Sequence, residues 1–256
     1  MNVRFKTLTK ILGFLAVFFI FQHFAAVVAH AISVPTLDLQ VGVSDDPAQV
    51  ASSIQMLLLI SVIALAPTLI IMVTCFPRII ISLHFLRSAM GTQQMPPNQV
   101  LVGIALFLTI FQMGNVFTRM YDEAFVPYSA GQMTQAAAFE TGMEPLREFM
   151  IAQVEEEDVA LFFDLSGESV FEYPNIPTRI LIPAFMLGEL RKGFYAGFYI
   201  YVPFIIVDMV VASVLMAMGM MMLPPAMISL PFKILIFLTA DGWTLFISAI
   251  MRGFRQ

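Results

Sequence analysis

Three ionisable residues interrupt apolar runs near the carboxyl end of the chain: Asp208, Lys233 and Asp241. Charge inside an apolar span is expensive and is retained where it pairs, relays protons or lines a path. Asp208 and Asp241 each stand about 16 residues from the dipeptide Pro224-Pro225, so folding the chain there brings them to similar depth. Two carboxylates on facing helices could share a proton and activate water, the chemistry of an intramembrane aspartyl protease. The same acids could instead pair with Lys233, a backbone amide or a neighbouring subunit and hold helices together. That packing role is favoured, because intramembrane charges commonly pair within a bundle. Lys233 and Asp241 would lie about 12 Å apart along one helix at about 1.5 Å per residue, so partners from other chains come into consideration. A Ser/His/Asp set, an H-E-x-x-H motif and a phosphate-cradling glycine loop are all missing from the sequence, which leaves no catalytic residue, no metal site and no cofactor to expect.

Between the two acids lies a second unusual pattern. Six of the 19 methionines, Met216, Met218, Met220, Met221, Met222 and Met227, cluster around Pro224 and Pro225. Methionine is unbranched and polarizable, so a dense group makes an apolar surface that repacks around changing shapes. Repeated around a ring of subunits, such a turn could close a pore against ions and yield to a passing unfolded chain. One chain has too few spans to enclose that pore, so an oligomer is implied.

The elements that must carry these residues are membrane helices. The chain is 59% hydrophobic and only 12% charged, with net charge −5 and mean hydropathy +0.85; soluble domains carry roughly 25% charged residues. Nucleic acid is an improbable partner for it. The lone Cys75 has no second cysteine to pair with and reads as a packing residue. Residues 1–31 carry Arg4, Lys6 and Lys10, an apolar run and Ala29-His-Ala31, the layout of a signal peptide. A polar segment, 32–53, follows. Spans are expected at 54–76, where Pro67 suggests an internal, packed helix, and at 100–117. The loop between them holds Arg78 and Arg87 and no acid, which places it in the cytoplasm by the positive-inside rule. His84 in that loop has no partner histidine or acid nearby in sequence, so a structural role is favoured over a ligand role. Residues 54–118 thus form a first helical hairpin.

Residues 119–192 change character, with 13 acidic against 5 basic residues, and are expected to form a helical extracytoplasmic segment. Within it Leu146, Phe149, Met150, Val154, Leu161 and Phe162 recur at helical spacing, for one or two amphipathic helices. Glu155 to Asp158 reads as a solvated face. Residues 193–256 form a second hairpin, with spans at 193–223, containing Pro203, and 227–251. The fold class is therefore all-α: membrane-associated hairpins and a helical segment, assembling into a helical oligomeric channel.

Several strings make the chain resemble the FliP family, the membrane export-gate protein of the flagellar type III secretion apparatus. They are Arg87-Ser-Ala-Met-Gly-Thr-Gln-Gln-Met-Pro-Pro-Asn-Gln-Val-Leu101, Tyr121-Asp-Glu-Ala124, Glu144-Pro-Leu-Arg-Glu-Phe149, Val207-Asp-Met-Val-Val-Ala-Ser-Val-Leu215, Gly219-Met-Met-Met-Leu-Pro-Pro225 and Ile228-Ser-Leu-Pro-Phe-Lys233. The resemblance implies five such subunits assembled with FliQ and FliR at the mouth of the export channel, FlhA and FlhB nearby, and unfolded flagellar proteins as cargo. It implies the bacterial inner membrane and flagellar basal body, with a periplasmic portion. The family's methionine gasket carries over onto Met220, Met221 and Met222. Gly188, Tyr199 and Tyr201 depart from the family's usual wording. The alternatives are an injectisome export-gate homologue, an ion- or proton-coupled transporter subunit using Asp208 and Asp241, and the aspartyl protease.

Overall fold

A computed structural model describes residues 47–254 apart from 93, 168–175 and 221. The expected signal peptide, most of the polar segment 32–53, and Met221 of the gasket lie outside the described residues. Every secondary-structure element among the described residues is helical. In order these are α1 (Pro47–Met72), α2 (Phe76–Met90), α3 (Asn98–Gln112), α4 (Gly114–Met120), a π-helical turn (Tyr121–Phe125), α5 (Val126–Ser129), α6 (Gln135–Gln153), α7 (Glu156–Ser166), α8 (Thr178–Ala217), α9 (Pro225–Thr239) and α10 (Gly242–Arg252).

Contacts divide the chain at Leu57, so the first turns of α1 group with the preceding residues and everything from Leu58 forms a second unit. Two helices are long and apolar enough to cross a membrane, Ser53–Met72 of α1 and all of α8; counting each bent pair as one span gives up to four. Pro67 does not mark a packed helix within this chain: Ile63, Leu65, Leu69 and Ile70 around it are all exposed.

The second unit is organised on α2 and α8, which pack together more extensively than any other pair. Residues 77–90 of the expected loop are thus helical and packed on α8 rather than free at a membrane surface. Ile79, Leu83, Leu86 and Met90 recur every three or four positions along α2 and are buried, as are Ile180, Leu181, Ala184, Phe185 and Gly188 of α8. The two backbones come close because α8 carries Gly193-Phe-Tyr-Ala-Gly197 at the crossing. A Cβ at Gly193 would stand 3.1 Å from Ile81, and one at Gly197 would meet the Phe85 ring at 2.3 Å. Small residues four apart are a general device for close helix contact in membranes.

Three expected spans differ from the structure. The end of the expected extracytoplasmic segment, from Thr178, and the span expected from 193 are one uninterrupted helix of 40 residues, about 60 Å at about 1.5 Å per residue. It runs through the expected boundary at 192/193 and through Pro183 and Pro203, and it ends at Ala217 rather than 223. The 100–117 span breaks at Met113, where the two halves meet at 59°. The 227–251 span breaks at Ala240–Asp241 with a bend of 66°.

The amphipathic stretch from Leu146 to Phe162 in the acidic segment falls in two helices, α6 and α7, separated at Val154–Glu155. Glu156, Glu157 and Asp158 occupy the first turn of α7, where carboxylates complement the positive end of the helix dipole. Glu155 to Asp158 is not wholly a solvated face. Asp158 is buried against Arg191 of α8, and Glu155 reaches Lys192 at 3.1 Å. Nearer the segment's start, exposed Arg119 bridges Glu123 and Glu148 and holds the Glu148 carboxyl below its ordinary range. Cys75 is fully buried before α2, as a packing residue should be.

Candidate functional site

The methionine turn joins α8 to α9, and its geometry follows from a few residues. Gly219 adopts a left-handed conformation with φ +75°. The Met220 amide donates to the Leu215 carbonyl at 2.9 Å and the Gly219 amide to Met216 at 3.0 Å, the paired bonds of a Schellman cap. Pro224 and Pro225 then open α9; proline suits a first helical position because its missing amide hydrogen would have no partner there. The turn is thus a helix stop followed directly by a helix start.

This backbone presents the thioethers outward. Met222 is 98% exposed, Met227 72% and Met220 43%, with Met216 and Met218 also exposed.

Behind the turn the two arms are locked together. Lys233 of α9 places its ammonium 2.6 Å from Asp208 Oδ2 on α8, and the Ser229 hydroxyl donates to the other carboxylate oxygen. The Lys233 ammonium also donates to the Ala89 carbonyl of α2 at 3.2 Å. That carbonyl is one of the last four in its helix, which have no acceptor role within the helix and carry its negative dipole end. One buried lysine therefore ties three helices.

The partner of Lys233 is in its own chain, not in another subunit, and the reason is countable. Measured from the helix ends rather than from the prolines, Asp208 stands 217 − 208 = 9 residues below the turn and Lys233 stands 233 − 225 = 8. Asp241, 241 − 225 = 16 residues below, lies about two turns deeper. The two acids thus do not share a depth, and the structure does not bring them together. Asp241 instead sits exposed at the bend, with φ +48°, in the left-handed region that Asp and Asn tolerate better than most residues. Gly242 follows because the Phe237 ring lies where its Cβ would be, at 2.2 Å. Asp241 shapes a corner, whereas Asp208 makes the ion pair.

Along α8 below the turn runs a groove of about 710 Å³, floored by the bent α9–α10 pair and lined by Tyr195, Tyr199, Pro203, Phe204, Phe237 and Phe246 among others.

The sequence reading missed a second charged centre. Arg78 is buried, not a free cytoplasmic charge: its Nε donates to Glu189 Oε2 at 2.9 Å, and Nη2 donates to Oε1 of the same carboxylate. It also donates to Gln153 Oε1 at 3.3 Å and to the Gly253 carbonyl at 3.0 Å, and its guanidinium carbon lies 4.0 Å from the centroid of the Phe254 ring. Glu189 is fully buried. A glutamate at the centre of an apolar helical run, with arginine on the neighbouring helix, was the available signal. Likewise His84 is not isolated. Its Nδ1 accepts from Arg87 at 3.0 Å, and Arg87 also holds the following loop through the Pro96 carbonyl at 3.1 Å and Asn98 Oδ1 at 2.6 Å.

Among the described residues no cluster of three or more His, Cys, Asp or Glu could hold a metal. The arrangement is a hairpin braced by charge and tipped with sulfur.

The comparisons with known proteins agree with the strings in the sequence. The profile of the FliP family matches residues 59–250. The flagellar biosynthetic protein FliP of Pectobacterium carotovorum subsp. carotovorum is 49% identical over 203 residues, 79% of each chain. That of Bacillus subtilis (strain 168) is 47% identical over 212 residues, 82% of this chain and 96% of the relative. The Caulobacter vibrioides protein of the same name is 46% identical over 204 residues, 79% and 77% of the two chains. With an exposed methionine turn on a charge-braced hairpin, a family profile that matches residues 59–250, and near-half identity to these relatives over 79–82% of its length, the chain belongs to the FliP family.

Proposed function

We propose that this chain is a non-enzymatic, pore-forming subunit of the flagellar type III protein export gate, which conducts unfolded flagellar proteins while its methionines restrain ion leak. The observation that carries the reading is the exposure of the turn. A group of large apolar side chains at a hairpin tip, with Met222 at 98% exposed, marks a contact surface. Copies meeting around an axis supply that contact: each contributes Met220, Met221 and Met222 to a ring, with Met216, Met218, Pro224, Pro225 and Met227 shaping the turn behind it. The thioether side chains are soft enough to part around an extended polypeptide and close afterwards.

The gate is read as a homo-oligomer, a pentamer by the family resemblance, with FliQ and FliR, and with FlhA and FlhB nearby. It belongs to the bacterial inner membrane and the flagellar basal body. Residues 119–192 face the periplasm in this reading, and the leader 1–31 directs insertion. The relatives' shared name, flagellar biosynthetic protein, supports the flagellar branch over an injectisome.

Replacing Met220, Met221 and Met222 together with alanine tests the seal. Ion leakage in cells carrying the assembled gate should rise while secretion persists; unchanged leakage counts against the gasket. A second reading, a proton-coupled subunit, draws on Asp208, whose side chain is 35% exposed within an apolar helix. Asp208→Asn with intact secretion, assembly and proton conductance removes it. The protease reading has little support, since Asp208 is engaged with Lys233 and Ser229 and stands apart from Asp241.

A further inference from the structure

The methionines range from fully buried, as at Met113 and Met150, to exposed, as at Met72, Met95, Met209 and the described methionines of the turn; among the described residues Met222 and Met227 are the most exposed methionines. Oxidation of a thioether follows its exposure, and the product sulfoxide is polar and disrupts methionine-rich contacts. We propose that the thioethers of the methionine turn, Met222 and Met227 foremost, are an oxidative modification site at which peroxide turns the seal into a leak.

The chemistry needs only a peroxide as co-reactant. The sulfur lone pair attacks one peroxide oxygen, the O–O bond breaks, and an S–O bond forms. Sulfur loses two electrons, the transferred oxygen gives up its proton, and the departing hydroxide takes that proton and leaves as water. A methionine sulfoxide reductase with a thiol reductant reverses the step.

The geometry confines the damage to polarity. The turn is held by backbone bonds, Met220 amide to Leu215 carbonyl and Gly219 amide to Met216 carbonyl, and the hairpin behind it by Lys233 and Asp208. Neither uses a sulfur atom. Oxidised side chains therefore remain at the same place on the same hairpin, carrying a dipole where an apolar surface stood. The leak half of this inference rests on the seal reading above; the site half rests on exposure alone.

Vesicles holding the assembled gate, treated with limiting hydrogen peroxide, test both halves through peptide mass mapping and ion efflux. Oxygen should appear on Met222 and Met227 several-fold faster than on Met113 and Met150. Efflux should rise in step and fall again after reductase treatment. A variant with Met216, Met218, Met220, Met221, Met222 and Met227 all changed to leucine keeps the apolar bulk and should stay tight under peroxide. Met95 is the control: it is 66% exposed but lies in the α2–α3 loop, so Met95→Leu should respond like the parent. Equal oxidation of buried and turn methionines overturns the site, and peroxide-driven efflux in the leucine variant overturns its role. Oxidised turns without efflux, in a gate that the alanine triple variant does open, overturn the redox control and leave the seal standing. If neither treatment causes efflux, the seal falls and this inference with it.

Discussion

Arg78–Glu189 and Lys233–Asp208 both join a shorter helix to α8, and they lie about 28 Å apart along it at about 1.5 Å per residue. At the first, an arginine fork meets both oxygens of a carboxylate that has no solvent exposure, and Gln153, the Gly253 carbonyl and the Phe254 ring surround the remaining guanidinium face. At the second, a buried lysine meets a carboxylate with a third of its surface open, helped by one serine. Opening the first pair would strand a charge in an apolar interior. Opening the second lets Asp208 turn to water or to a neighbouring chain. The molecule thus keeps its saturated ion pair within the core and its partly open one on the hairpin that carries the methionine turn.

The largest expected effect comes from Glu189→Ala, which leaves Arg78 buried without a counter-charge and should lower stability by about 3–5 kcal/mol. Thermal unfolding of the purified protein in detergent measures it. Lys233→Ala should cost less, about 1–3 kcal/mol, because Asp208 can rehydrate; its signature is protease sensitivity of the α8–α9 hairpin. Equal costs for the two variants would break the contrast.

Next to Glu189 lies an unfinished contact. Asp158 pairs with Arg191 through Oδ1, but Oδ2 has no hydrogen-bond partner among the described residues, and a Cβ on Gly188 would stand 3.1 Å from it. Gly188→Ser puts a hydroxyl there and removes a helix-interior glycine, for an expected gain of about 1 kcal/mol. Gly188→Ala, which offers a methyl to the carboxylate, should gain less. Unfolding midpoints that rank the alanine variant first would mean that Oδ2 is not seeking a donor.

The smallest effect is in pH. Burial first, and then the Arg87 charge, push the His84 imidazole below its ordinary value of 6.5. The folded chain therefore binds fewer protons at this site than the unfolded one, and stability rises with pH across the window between the two values. The contribution is fully present above pH 6.5 and is lost as pH falls through the lower, folded-state value. His84→Gln, which keeps an acceptor for Arg87 and cannot titrate, should flatten the stability profile on the acid side of pH 6.5.

Local chemistry was legible along the chain and distant pairing was not. Gly219, Pro224 and Pro225 mark a helix stop and start in the sequence, and the methionines announce their own density. The breaks at Met113 and Asp241 each precede a glycine, Gly114 and Gly242, but a hydropathy window runs straight over them. Arg78 looks like an orienting charge when charges are counted along a line, because its partner is 111 residues away. Lys233 looks partnerless when depth is measured from the prolines, because residues 218–224 add no height to either helix. Gly193 and Gly197 show their spacing in sequence, but only Ile81 lying against the first and the Phe85 ring against the second show why it matters.

The 40 residues of α8 also set how the molecule can transmit force. One end is clamped by Arg78–Glu189, and Ala217 lies about 42 Å beyond Glu189 at about 1.5 Å per residue. With the clamp as fulcrum, a tilt of about 5° would carry the far end of that lever, and the methionine turn with it, through roughly 4 Å, against a rise of about 5.4 Å for one helical turn.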